Sequence, residues 1–334
     1  MRFLIVFTVL LLPIAVQAQW LRQKVDTTAG FRGLAVIDRT VVWASGTGGT
    51  VIRTVDGGVT WRVITVPGAG KLDFRDIEAF DANTAYILSI GNGDASRIYK
   101  TTDGGATWKE QFRNDDPKKF FDAIACWDRD NCIAMSDPVE RIFPLISTSD
   151  GGAHWASLNP KVPPAAKQDE AAFAASGTCL IAQGKNTAFL VTGGGDARVY
   201  RTNDRGMTWS VSETPIVKGA AAQGIFSIAM SDARSGAIVG GDYQKPESRM
   251  LTFATTVDGG NTWGQGTDLS GYRSGVAYLD RKTLIAVGTS GSEISSNGGS
   301  TWKLLGNEDL NSVQSRGRKA TWAVGPKGMV LKLK

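Results

Sequence analysis

The chain has 334 residues, 37 Lys and Arg against 32 Asp and Glu, a formal net charge of +5 and 42% hydrophobic residues. So mild a basic excess is not the dense cationic patch of a nucleic-acid binder, and no nucleic-acid partner is expected. A single histidine, His154, leaves almost no material for a Ser-His-Asp triad or a histidine-rich metal site, so neither a metal nor a cofactor is expected.

The chain opens with Met1-Arg2, an apolar run from Phe3 to Val16, and the small-residue end Ala15-Val16-Gln17-Ala18. One positive charge, a short apolar core and such an end predict a secretory signal peptide over residues 1–18. The run is too short for a membrane anchor, which takes about 20 apolar residues. No Cys follows Ala18 for a lipid anchor, and no later run is long enough to span. The expectation is an exported chain, periplasmic or extracellular, whose residues 19–334 form one modular domain with no membrane span.

Glycine is abundant and helix-period patterns are nearly absent; short apolar runs alternate with turn residues. The first such group is Gly33–Ile37, Thr40–Ser45, Thr50–Thr54 and Thr60–Val66, four strands A to D. Between C and D stands the octapeptide Thr54-Val-Asp-Gly-Gly-Val-Thr-Trp61. Variants of it return with their acidic or amide residue at Asp103, Asp150, Asp204, Asp258 and Asn297. A repeat of roughly 40 to 50 residues is the length of a four-stranded propeller blade. The Asp closes a turn onto nearby backbone N–H groups, the glycines allow positive φ, and the Trp starts strand D with a large packing surface. The octapeptide resembles the Asp-box, or BNR repeat, of sialidases and other β-propellers. Arg205 for the first Gly and Asn297 for Asp read as drift in a structural staple, which a catalytic carboxylate would not tolerate.

Blade 2 runs from Phe74, and blades 3 to 6 start near Phe121, Glu170, Ile225 and Arg273. After the sixth octapeptide, Leu310–Gln314, Ala320–Gly325 and Gly328–Leu333 supply A, B and C of a seventh blade. Gln19–Val25 supplies its D strand from the other end, which removes an exposed edge. The fold expected is all-β, a seven-bladed propeller closed by the N-terminal strand and monomeric; six blades with loose ends is the alternative.

Cys126 and Cys132 flank a short turn between two strands, and an exported chain favours a disulfide between them. Two free buried thiols are the alternative. Cys179 is left over.

Three segments interrupt the rhythm: Lys161–Ser176, Asp137–Leu145 and Asp242–Arg249. D-to-A links and B-to-C loops share the propeller face opposite the octapeptides, so all three elaborations lie there, where function concentrates. Aligning the strand-A entries puts Arg32, Arg75 and Arg273 at equal depth around that mouth, joined by Asp76, Asp122 and Glu170. The B-to-C loops add Asp137, Asp242 and Tyr243. This set reads as a pocket for an anionic or polyhydroxylated ligand. The alternative is an internal salt-bridge ring that neutralises the channel wall.

The sialidase likeness ends at the boxes: the Arg-Ile-Pro motif of sialidases is replaced by Phe31-Arg32-Gly33-Leu34, and no Tyr/Glu nucleophile pair can be assigned. The overall pattern (Asp…Trp-Ala-x-Gly, short strand, Asp-box) resembles the photosystem II stability/assembly factors and their exported bacterial relatives over the whole of residues 19–334. That resemblance implies a non-catalytic binding or assembly protein with a protein partner. The competing expectation is a glycoside hydrolase or lyase that acts on an anionic glycan with the channel-mouth acids. A protein partner or an anionic, glycan-like ligand is therefore expected at the mouth.

Overall fold

The computed structural model describes residues 19–334. The expected signal peptide, residues 1–18, lies outside the described residues.

Seven antiparallel sheets stand around a central channel. Blade 1 is Phe31–Val36, Val42–Gly46, Thr50–Thr54 and Arg62–Thr65; blade 2 is Phe74–Ala79, Ala85–Ser89, Arg97–Thr101 and Lys109–Arg113. Blade 3 is Phe121–Cys126, Cys132–Ser136, Leu145–Thr148 and Ala156–Leu158. Blade 4 is Leu180–Gln183, Thr187–Val191, Arg198–Thr202 and Ser210–Glu213. Blade 5 is Ala220–Met230, Gly236–Asp242, Phe253–Thr256 and Gly264–Gln265; blade 6 is Gly275–Tyr278, Leu284–Gly288, Gly291–Ser295 and Lys303–Gly306. Ser312–Ser315, Thr321–Val324 and Val330–Leu333 form blade 7 with Trp20–Arg22 as its outer strand. Trp20 stands opposite Leu333 and Arg22 opposite Leu331, and the Trp20 Nε1 donates to Ser292 Oγ of blade 6 at 2.9 Å. The closure strand thus fastens two blades at once.

The octapeptides hold the blades together in pairs. In the second, Thr107 N and Oγ1 donate to Asp103 at 2.9 and 2.6 Å, and Gly105 N donates to Thr101 Oγ1 at 2.9 Å. Gly105 has φ 80°, and a Cβ there would come within 2.7 Å of Ile64 Cδ1 in blade 1. Glycine is therefore required twice over, by backbone and by the neighbouring blade. Trp108 then meets Trp43 of blade 1 edge to face at 6.5 Å, and Trp61 meets Trp322 of blade 7 at 5.6 Å. Arg205 adopts φ 58° in the place of a glycine and donates to Asn131 Oδ1 at 2.7 Å.

Blade 4 departs from the expected register. Its strand A begins at Leu180, whereas Glu170–Ala171 pairs with Gly193–Gly194, which pairs in turn with the extended inner strand of blade 5. The reason is that the link before blade 4 does not run straight to its first strand but crosses the channel mouth. Cys126 and Cys132 stand directly opposite each other across the blade 3 hairpin and form a disulfide, and Cys179 is free and buried.

Candidate functional site

Strand A is the inner edge of every blade, so half of its backbone N–H and C=O groups face the channel. In four blades it is bulged at one shared position, between Phe31 and Gly33, Phe74 and Asp76, Phe121 and Ala123, and Ile225 and Ser227. The residues on these bulges are Arg32, Arg75, Asp122 and Phe226. A bulge leaves one residue unpaired and re-aims its side chain. Arg32, Arg75 and Phe226 thereby reach one cavity of about 320 Å³ on the face opposite the octapeptides.

The link into blade 4 forms part of this cavity. Arg32 Nη1 donates to the Ala175 carbonyl at 2.9 Å and Arg75 Nη1 to that of Ala174 at 3.3 Å. Gly177 then dips onto Asp76: with φ 75°, a Cβ would come within 2.2 Å of the Asp76 carboxylate. Phe173 of the same link stacks on Phe226, centroids 3.9 Å apart and planes within 7°. Tyr272 meets Phe226 edge-on at 4.7 Å, and Tyr243 closes the corner edge-on to Phe173 and Phe226 at 6.3 and 6.1 Å.

The two charged residues that line the cavity are Arg32 and Arg75. Arg75 Nε pairs with Asp73 at 2.8 Å. Among the described residues Arg32 has no carboxylate partner, and burial, then the Arg75 guanidinium beside it, lowers its pKa. A guanidinium carries five N–H donors, and one of those of Arg32 is committed to protein. The site therefore offers a partly desolvated cation next to an aromatic wall, an arrangement for a carboxylate joined to an apolar or aromatic group.

The structure brings Arg32, Arg75 and Tyr243 together and places the other expected residues elsewhere. Asp76 is buried and accepts from the channel-facing N–H groups of Ile77 and Ile124, both at 2.8 Å, so it caps the free edges of blades 2 and 3. Asp122, also buried, lies against Asp137 beneath the link. Burial, then Asp137, raises the pKa of Asp122, while burial pushes Asp137 up to about 6 against an opposing hydrogen bond from Ala172 N. Asp242 is buried and closes its own loop by accepting from Gln244 N at 2.9 Å.

Two registers are corrected. Glu170 is not at a strand-A entry; it is buried against Arg198, whose Nε donates to it at 3.1 Å, and it accepts from Lys167 N at 2.7 Å. It anchors the link to blade 4. In blade 6, Val276 stands opposite Ala286 as Leu34 stands opposite Ala44, which makes Arg273 equivalent to Phe31 rather than Arg32. A slip of one residue turns a side chain to the other face. Arg273 is accordingly fully buried and paired with Glu293 at 2.7 Å, with further bonds to Ser270 and Ser290.

Phe173, Phe226 and Tyr272 are mouth residues that selection by charge passed over. Phe226 was visible in principle, because it holds the same repeat position as Arg32 and Arg75.

No protein-family model matches the sequence, and no curated protein matches it. Solved structures share its fold. YCF48 bound to D1 peptide superposes with a TM-score of 0.67 at 19% identity, covering 94% of this chain and 95% of that chain. YCF48 from Cyanidioschyzon merolae gives 0.66 at 16%, covering 94% and 98%. The GH74 enzyme of Niastella koreensis gives 0.62 at 15%, covering 93% of this chain and 53% of its own. At these identities the likeness is one of fold, and function is argued from the site.

Proposed function

We propose that the chain is an exported binding module that holds a segment of a partner protein at the channel mouth, through a carboxylate and an adjoining aromatic or apolar side chain. The observation that carries this reading is the joining, in one cavity of about 320 Å³, of the Arg32 guanidinium to the wall of Phe173, Phe226, Tyr243 and Tyr272. That size suits one or two side chains rather than a long oligosaccharide. The similarity of fold to YCF48 bound to D1 peptide supports a peptide as the ligand. The octapeptides, which resemble Asp-boxes, lie on the opposite face and act as staples. Export rests on the signal-like residues 1–18; mass spectrometry of the secreted form should show a chain that starts at Gln19.

Glycan hydrolysis has less support. Glycosidases set two carboxyl groups across the scissile bond, and none of Asp76, Asp122, Asp137, Glu170 or Asp242 lines the mouth cavity. The test is to pan residues 19–334 against a library of short peptides displayed with free C-termini, with Arg32→Ala as counter-selection. Enrichment of sequences with a carboxylate next to an aromatic residue, lost with Arg32→Ala, is the expected result. Enrichment that ignores Arg32, or turnover of an anionic glycan, would refute the reading.

A further inference from the structure

The opposite end of the channel holds a second chamber, of about 280 Å³, walled by the inner strands of all seven blades. Its construction differs from that of the mouth. The hairpin bonds from Phe80 N to Thr84 O and from Leu279 N to Thr283 O fix the alternation of strand A. The residues just before them, Ala79 and Tyr278, therefore turn their N–H and C=O groups toward the chamber, and the other blades repeat the pattern. The Val36 N–H is taken by Gln314 Oε1 at 3.2 Å.

Into this ring projects one carboxyl group, that of Glu78, which makes no hydrogen bond and no ion pair among the described residues. Burial pushes its pKa up to about 8, and the exposed Arg316 at the rim pulls the other way. The remaining ionisable neighbours are Asp76, two residues up the same strand, and Tyr278 on blade 6 with Asp232 behind it. Cys126 also lines the chamber but is held in its disulfide. Burial, then Glu78, raises the pKa of Asp76 in turn. Arg316 is the one cation that lines the chamber, and among the described residues neither carboxyl forms an ion pair with it. Ile37, Ile181, Met230 and the Tyr278 ring give the wall an apolar part, beside the polar Thr178, Gln314 and Ser315.

We propose that this chamber binds a small primary ammonium ligand, with its charged head on Glu78 and the inward backbone carbonyls and its alkyl body against Ile37, Ile181, Met230 and Tyr278. A carboxyl with no partner is completed by an ammonium, which has three donors and no acceptor. A lone metal ion would leave most of the cavity, and the side chains of Ile37, Ile181 and Met230, unused. An anion would meet Arg316 only at the rim and would face Glu78 and Asp76 within. The site is separate from the channel mouth, so it stands or falls independently of the peptide reading.

The experiment is a calorimetric titration of residues 19–334 with n-butylammonium chloride, repeated in buffers of different ionisation enthalpy. Saturable binding is expected, with proton release at neutral pH because Glu78 must ionise to pair with the ligand. Glu78→Gln should weaken binding roughly tenfold or more, the loss of about 1.4 kcal/mol or more, while Arg32→Ala should leave it unchanged. Met230→Trp, which fills the chamber, should abolish binding in a protein that keeps Glu78, and so covers the case in which Glu78→Gln misfolds. Sodium butyrate binding more tightly than the amine, potassium or calcium chloride displacing it, or no saturable binding of the amine would each overturn the proposal.

Discussion

The Arg32 guanidinium donates to the Ala175 carbonyl at 2.9 Å across the channel mouth. Blade 1 and the link into blade 4 are thereby joined without an ion pair. The bond leaves Arg32 without an ion pair, Asp73 and Asp309 acting on it only from a distance, and it fixes the link whose Phe173 builds the aromatic wall. Arg32 thus combines a structural contact with a free cation, which the two arginines buried in the blades do not.

Arg198 and Arg273 are those two. Glu170→Ala or Glu293→Ala would strand a buried guanidinium and should destabilise the fold by about 3–5 kcal/mol. Arg32→Ala gives up one hydrogen bond to a backbone carbonyl in a partly open site and should cost about 1–1.5 kcal/mol. Denaturant unfolding of the three variants tests the contrast, and equal losses would contradict this division of roles.

The octapeptide acid Asp103 serves only its own turn, accepting from Thr107 N and Oγ1 and from Thr101 Oγ1. Asp103→Ala should speed amide exchange at Thr107 and lower the melting temperature, with binding at the mouth intact. Loss of binding at an unchanged melting temperature would place the site on the wrong face.

Stability should peak on the acid side of neutrality. The turn acids Asp56 and Asp103 are held down to about 2 from 3.8, chiefly by hydrogen bonds from Thr60 and Thr107. Their contribution is present above the unfolded value and is lost as the pH falls toward 2. Burial raises the channel acids instead, Asp137 to about 6 and Glu78 to about 8. Folding favours their neutral forms, so their contribution is full below the unfolded values and is lost as the pH rises through 6 and 8. The melting temperature should be highest near pH 4 to 6 and fall toward pH 9, with Glu78→Gln flattening the upper part of that fall. A profile that rises from pH 5 to 9 would refute this assignment.

The Cys126–Cys132 bridge closes a short loop, with a sequence separation of 6. Cys132→Ser should lower stability by about 2 kcal/mol through the entropy returned to the unfolded chain. No loss, or alkylation of both thiols in the folded protein, would show that the bridge is not part of the working molecule.

The fold was legible because it is repeated. Six octapeptides set the blade period, and the Trp20 strand could be read as the partner of Leu333 because the last blade lacked one. The site was legible only where the register was. Arg32, Arg75 and Phe226 share a bulge, and the repeat alignment displayed that equivalence. Arg273 was displaced by one residue because the first aromatic residue of blade 6, Tyr272, stands one place before the position equivalent to Phe31, so an alignment that starts from the aromatic residues slips by one. Glu170 was misplaced because an irregular link has no period to read. Whether a charged residue faces the mouth or a buried partner depends on such single-residue offsets, to which hydrophobic patterning is blind. The partners Glu293 and Arg198 lie on strands C and carry no sequence signal of their own.

The most direct test of the account measures affinity and melting temperature together on Arg32→Gln. The ligand is a short peptide ending in phenylalanine with a free carboxylate, compared with its C-terminal amide. The account predicts that the wild type binds the acid at least tenfold more tightly than the amide, a difference of about 1.4 kcal/mol, and that Arg32→Gln removes this preference while melting within a few degrees of the wild type. Equal affinity of the wild type for acid and amide, or an unfolded Arg32→Gln protein, would contradict a carboxylate-binding mouth and leave the arginines as architecture.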